Sequence, residues 1–159
     1  MKQKKKLGRK ILSALLTLVM VIGLVPGMPG MSLTAKAATL SGSGAENDPY
    51  LITSADAWNI LAASVNGGND YSGQYFKLTE DITVSQMIGI NNHASDSNPE
   101  ANQRSFSGTF DGDGHTMNLT INDKNTYGAA PFSATKNATI KNLNVTGSVV
   151  GGIHSAGLV

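Results

Sequence analysis

The residues best suited to chemistry lie in one short run, Asp111-Gly112-Asp113-Gly114-His115. Two carboxylates and an imidazole in five positions are the raw material of a hard-cation site or an acid–base pair. A calcium loop of the EF-hand type carries a third Asp or Asn two positions after its second acid, and a Glu further on. His115 occupies that third place. Asp111 and Asp113 are therefore weak Ca²⁺ candidates, and the run reads first as a turn. A lone histidine such as His115 at a strand start is more often packed or solvated than catalytic. His93 and His154 have no ligand set beside them in sequence, and no H-x-x-x-H or H-E-x-x-H spacing offers zinc a site. Beyond position 37 the basic residues are Lys77, Arg104, Lys124, Lys136 and Lys141, none next to a convincing acid-rich cluster. No catalytic residue and no cofactor is assigned. The Asn118, Asn137 and Asn144 sequons mostly restate an Asn/Thr alternation.

Charge narrows the partners. Lys2, Lys4, Lys5, Lys6, Arg9 and Lys10 form a basic stretch, and Ile11 to Val25 follows as an apolar one. As a helix, fifteen residues reach about 22 Å, short of the ~30 Å hydrocarbon core, and Pro26 and Pro29 then break it. Ala35-Lys36-Ala37 presents small residues for a signal peptidase, which places cleavage between Ala37 and Ala38 and leaves no stable membrane span. Residues 1–37 are thus expected to be a signal peptide, similar to those of Gram-positive bacteria, and the protein to be secreted or held at the cell surface. The absence of cysteine excludes a lipid-anchored lipoprotein and a disulfide scaffold. After cleavage five basic and all 11 acidic residues remain, a formal net charge of −6 in place of +1. That sign gives no electrostatic reason to seek nucleic acid or anionic membrane.

The remaining 122 residues, rich in Gly, Asn, Ser and Thr, suit one small domain of short strands and turns. Residues 38–47 read as a flexible lead-in. Residues 48–84 read as an N-terminal cap: a strand at Tyr50-Leu51-Ile52, a helix, then a first rung. Ser54 is the expected N-cap, and Trp58, Leu61, Ala62 and Val65 recur at helical spacing. Asn66-Gly67-Gly68 ends the helix. Trp58, Leu61 and Val65 are expected to form the core of the cap, in preference to Trp58 serving as a sugar-stacking platform. Residues 85–105 read as a loop excursion, and 106–159 as rungs. Asn118-Leu119-Thr120-Ile121 and Asn142-Leu143-Asn144-Val145 are near copies 24 residues apart, with Asp81-Ile82-Thr83-Val84 lying 37 residues upstream. On this alignment Ile82, Leu119 and Leu143 form one inward column, and Val84, Ile121 and Val145 a second. Thr83, Thr120 and Asn144 face outward. A repeat of this length with inward aliphatic columns predicts a mainly β fold, a right-handed parallel β-helix behind a short capping helix.

Several words carry a resemblance. Asn47-Asp48-Pro49-Tyr50-Leu51-Ile52, the Trp58 helix and Tyr75-Phe76-Lys77-Leu78-Thr79-Glu80-Asp81-Ile82 resemble the start of β-helical bacterial surface proteins. Phe106-Ser107-Gly108-Thr109-Phe110-Asp111-Gly112-Asp113-Gly114-His115 resembles their F-x-G-x-F-D-G-x-G-H rung. Ala138-Thr139-Ile140-Lys141-Asn142-Leu143, with Gly151-Gly152 and Ala156-Gly157-Leu158-Val159, is similar to the start of a GLUG-motif array. Gly128-Ala129-Ala130-Pro131-Phe132 departs from the Gly-Leu-Phe-Gly word such arrays often carry. The resemblance implies a non-catalytic surface or adhesion module whose partner is a protein or glycan at the cell surface. The alternative is a carbohydrate-active β-helix enzyme, a lyase or hydrolase, or the non-catalytic N-terminal part of a larger secreted enzyme. With three countable rungs and no closing element after Val145, the chain is also expected to need further repeats or to self-associate.

Overall fold

The computed structural model describes residues 39–91 and 103–159. Residues 1–38, with the expected signal peptide and its Ala37/Ala38 junction, and residues 92–102 with His93, lie outside the described residues. In chain order the elements are β1 (Tyr50–Ile52), α1 (Ala55–Asn66), β2 (Tyr75–Leu78), β3 (Ile82–Val84), β4 (Thr109–Asp111), β5 (Thr116–Tyr127), β6 (Thr139–Lys141) and β7 (Asn144–Ile153). The fold is mainly β with one short helix. Its strands form two stacked parallel sheets, β1-β2-β4-β6 and β3-β5-β7, consistent with a β-solenoid. Each winding contributes one strand to each sheet, and α1 stands where the first winding would otherwise have its second strand.

Local chemistry explains the helix. The Ser54 hydroxyl accepts a hydrogen bond from the Ala57 N–H at 3.2 Å, satisfying an otherwise orphaned donor, and Asp56 sits in the positive first turn. Gly67 closes the helix in right-handed geometry, and the left-handed residue is Gly68. Trp58, Leu61 and Val65 are buried, so one face of α1 is committed to the core. Residues 39–47 are fastened, against the expectation of a flexible lead-in. Ser41 pairs with Leu51, and Gly44 accepts a bond from the Tyr75 N–H at 3.0 Å. Gly42 makes that close approach feasible: it has φ +96°, and a Cβ there would lie 2.0 Å from the Pro49 carbonyl oxygen.

The alternation of inward and outward residues follows the pleat, but the register differs from the one expected. Ile82 pairs with Met117 and Val84 with Leu119. Met117 pairs with Val145, Leu119 with Gly147 and Ile121 with Val149. Ile82, Val84, Leu119 and Ile121 are buried, whereas Val145 is half-buried and Leu143 precedes β7 altogether. The two similar words therefore do not stack on each other, and Met117 to Val145 spans 28 residues. The cause is the corner between the sheets. One winding turns through Gly112 to His115, the next through Asn142 and Leu143 alone, with Asn142 at φ +53°. Gly147, also left-handed at φ +91°, sits so close to β5 that a Cβ would come 2.2 Å from the Leu119 oxygen.

A third face was not expected. Ile88 bridges to Phe132 in parallel, Phe106 to Thr135, and the Phe132 N–H donates to the Leu158 oxygen at 3.2 Å. Ile88, Phe106 and Phe132 are fully buried. The segment read as an excursion over 85–105 thus begins and ends inside the stack. The Gln86 carbonyl accepts the Trp58 indole N–H at 2.9 Å, and Ile90 pairs with Arg104. Phe76, Phe106, Phe110, Phe132 and Trp58 form a continuous aromatic core with edge-to-face and tilted contacts at 5.3–5.8 Å.

Candidate functional site

The Asp111–His115 run forms the corner between β4 and β5, and its side chains reach to the windings on both sides. Asp111 faces the next winding: its carboxylate meets Lys141 Nζ at 3.3 Å and accepts from Asn142 Nδ2 at 3.0 Å. It also receives the Asp113 N–H at 3.0 Å, a turn closed by a side chain. Asp113 faces the previous winding and pairs with Lys77 Nζ at 2.9 Å. Asp81, at the matching corner of that winding, accepts the Thr116 N–H at 2.8 Å and lies 3.3 Å from His115 Nδ1. Asn144 Nδ2 donates to the Gly114 oxygen at 2.7 Å. The corner is therefore a set of ties between windings. A hollow of about 340 Å³ beside it is lined in part by Glu46, Tyr75, Lys77, Asp111 and Lys141.

Two lysines that look isolated in sequence, Lys77 and Lys141, are thus part of a mixed-charge cluster. Nothing local in the sequence reveals this, because each lysine meets an aspartate of a neighbouring winding. As for metal, among the described residues no group of three or more His, Cys, Asp or Glu side chains is arranged to hold an ion. Asp111 and Asp113 direct their oxygens to separate lysines. His154 lies away from the corner, its ring edge-on to Tyr127 at 5.0 Å.

The ties set the acid response. The Thr116 N–H holds Asp81 below the usual carboxylate range, with His115 adding to the effect. Partial burial pushes Asp111 up, but the Asp113 N–H, Asn142 and Lys141 outweigh it and hold it low. The Thr126 hydroxyl, with the Asn125 N–H, does the same for Asp123. Carboxylates depressed in the folded state bind fewer protons there than in the unfolded chain. Their contribution is present above the unfolded range, about pH 4, and is lost as pH falls through the folded values. The urea midpoint is expected to fall as the pH drops below about 4. The fall should be shallower in Asp111→Asn; an identical pH profile in that variant would refute the assignment.

Sheet β3-β5-β7 presents a polar row to solvent. Asn118 donates to the Thr83 hydroxyl at 3.3 Å, and the Thr146 hydroxyl to Asn118 Oδ1 at 3.4 Å, linking three windings. Two hollows flank the third face. One, of about 390 Å³, is uncharged and lined in part by Asn66, Gln86, Asn91, Asn125 and Tyr127. The other, of about 560 Å³, holds Arg104 and Lys136. Trp58 is fully buried and takes no part in any surface. Among the described residues no helix is long and apolar enough to cross a membrane.

No family model and no solved structure matches the chain significantly. A similarity exists to halomucin of Haloquadratum walsbyi, 29% identical over 161 residues that take in 82% of this chain. The chain spans only 2% of that protein's length, so the likeness is to a small part of a very long polypeptide.

Proposed function

We propose that this chain is a non-catalytic interaction module that works outside the cell, built as a right-handed parallel β-helix and exported behind a signal peptide cleaved after Ala37. The observation that carries the reading is the use made of the corner carboxylates. Asp81, Asp111 and Asp113 each tie one winding to another, and this use of the carboxylates as ties between windings supports a scaffold role. The polar row through Thr83, Asn118 and Thr146 supports it, as a display face for a protein or glycan partner. The similarity to a protein named as a mucin supports an extracellular setting. The likeness to GLUG-motif arrays rests on the sequence words alone.

The test is an assay of the full chain on acidic and neutral polysaccharides, with and without Ca²⁺. No chain cleavage is expected, and secreted material should begin at Ala38. Turnover that vanishes in Asp111→Ala or His115→Ala would overturn the reading in favour of a carbohydrate-active β-helix enzyme.

A further inference from the structure

Lys77 and Lys141 have their charge met by aspartates, whereas Arg104 and Lys136 have no ion pair among the described residues. These two cations line the same 560 Å³ hollow on the third face. Backbone bonds fix both. Arg104 exchanges two with Ile90, at 2.8 and 3.1 Å, and the Lys136 N–H donates to the Phe106 oxygen at 2.9 Å. One guanidinium nitrogen, Nη1, donates to the Gln103 oxygen at 3.2 Å. Arginine has five N–H donors, and among the described residues Gln103 engages one of them. Ser105 and Ser107 add hydroxyls to the lining. Asp70 is there too, with Oδ1 accepting the Ser72 N–H at 3.1 Å, so the lining among the described residues carries one net positive charge.

We propose that this hollow binds the anionic group, a carboxylate or sulfate, of an acidic saccharide. The inference rests on the reading of the chain as an interaction module, and it names the ligand class of one of its surfaces. A planar guanidinium matches a carboxylate or sulfate in two-point contact, and the ammonium supplies a second positive charge. A chain with net charge −6 beyond its first 37 residues repels polyanions only over distances that salt screens, about 8 Å at physiological ionic strength. Inside the hollow the local cations decide. A hollow of this volume is in the range that holds a small ligand, larger than a bare inorganic anion needs.

The test is calorimetric titration of the full chain with tetragalacturonate, a sulfated galactan tetrasaccharide, neutral cellotetraose and inorganic sulfate alone. Binding of at least one acidic saccharide, weakening as salt rises, is expected. Arg104→Gln and Lys136→Gln should each weaken it roughly tenfold, with the β circular dichroism unchanged. Equal binding of cellotetraose, equal binding of sulfate alone, indifference to both substitutions, or no binding would each overturn the proposal. Because titration reads binding without turnover, an enzymatic activity would defeat the module reading and leave this result separately legible.

Discussion

Trp58→Ala is expected to remove about 3–5 kcal/mol of stability, the range for truncating a buried aromatic. Trp58 is 0% exposed and stands in the first half of α1, yet its ring meets Phe110 of β4 at 5.8 Å and Phe132 of the third face at 5.3 Å, both edge-on. Its indole N–H is satisfied by the Gln86 carbonyl. One side chain therefore joins the helix to two faces of the stack, and alanine would leave a large hole where three elements meet. A domain of this size has a total stability of about 5–15 kcal/mol, so the loss is a large share of the whole. Trp58→Phe keeps most of the packing and should lose far less. Urea denaturation followed by circular dichroism checks both. A loss under about 1 kcal/mol in Trp58→Ala would mean that the helix does not close the end of the stack.

The second large effect is association of residues 38–159 with copies of themselves. The two ends of the stack differ. At the first winding, Ser41 pairs along β1 and α1 packs against β1 and β3. At the last, β6 and β7 are the outermost strands of their sheets. The inward residues beside those edges, Ile140, Leu143, Val145 and Val149, are only half-buried, and Val150 and Ile153 are 43% and 58% exposed. Unpaired strand edges over an apolar layer recruit further strands, and solenoid stacks normally cover such an end. Sedimentation velocity should show assembly that grows with concentration, and the thermal midpoint should rise with it. Val149→Lys places a charge on the inward side of the edge strand and is expected to return the chain to monomer. A sharp unfolding transition of a strict monomer, with a midpoint independent of concentration, would refute this.

The helix was legible because its evidence is local: a serine cap, a 3.6-residue apolar period and a Gly-Gly stop all lie within fifteen residues. The inward side of β3 and β5 was legible for the same reason, since parity needs only a strand's own residues. Register is not local. It depends on corner length, and Gly112 to His115 against Asn142-Leu143 shifts the β6/β7 winding although the tetrapeptides look alike. The third face escaped because single residues, Ile88, Phe132 and Leu158, make it, and a one-residue bridge has no period. The paired lysines and the Arg104/Lys136 hollow escaped for a related reason. Their partners come from other windings, and sequence distance says nothing of adjacency across a stack.

The parallel ladders have a mechanical consequence. Hydrogen bonds between windings point along the stacking direction, and the chain enters at one end of the stack and leaves at the other. Tension between the two ends loads those bonds one after another instead of all at once in shear. Among the described residues the β6/β7 winding, outermost in both sheets and only half-buried on its inward side, would peel first, and the helix-covered one last. From Thr109 to its partner Thr139 the winding takes 30 residues, so its peeling releases about 100 Å of extended chain. A stack loaded this way is expected to yield in steps, one winding at a time.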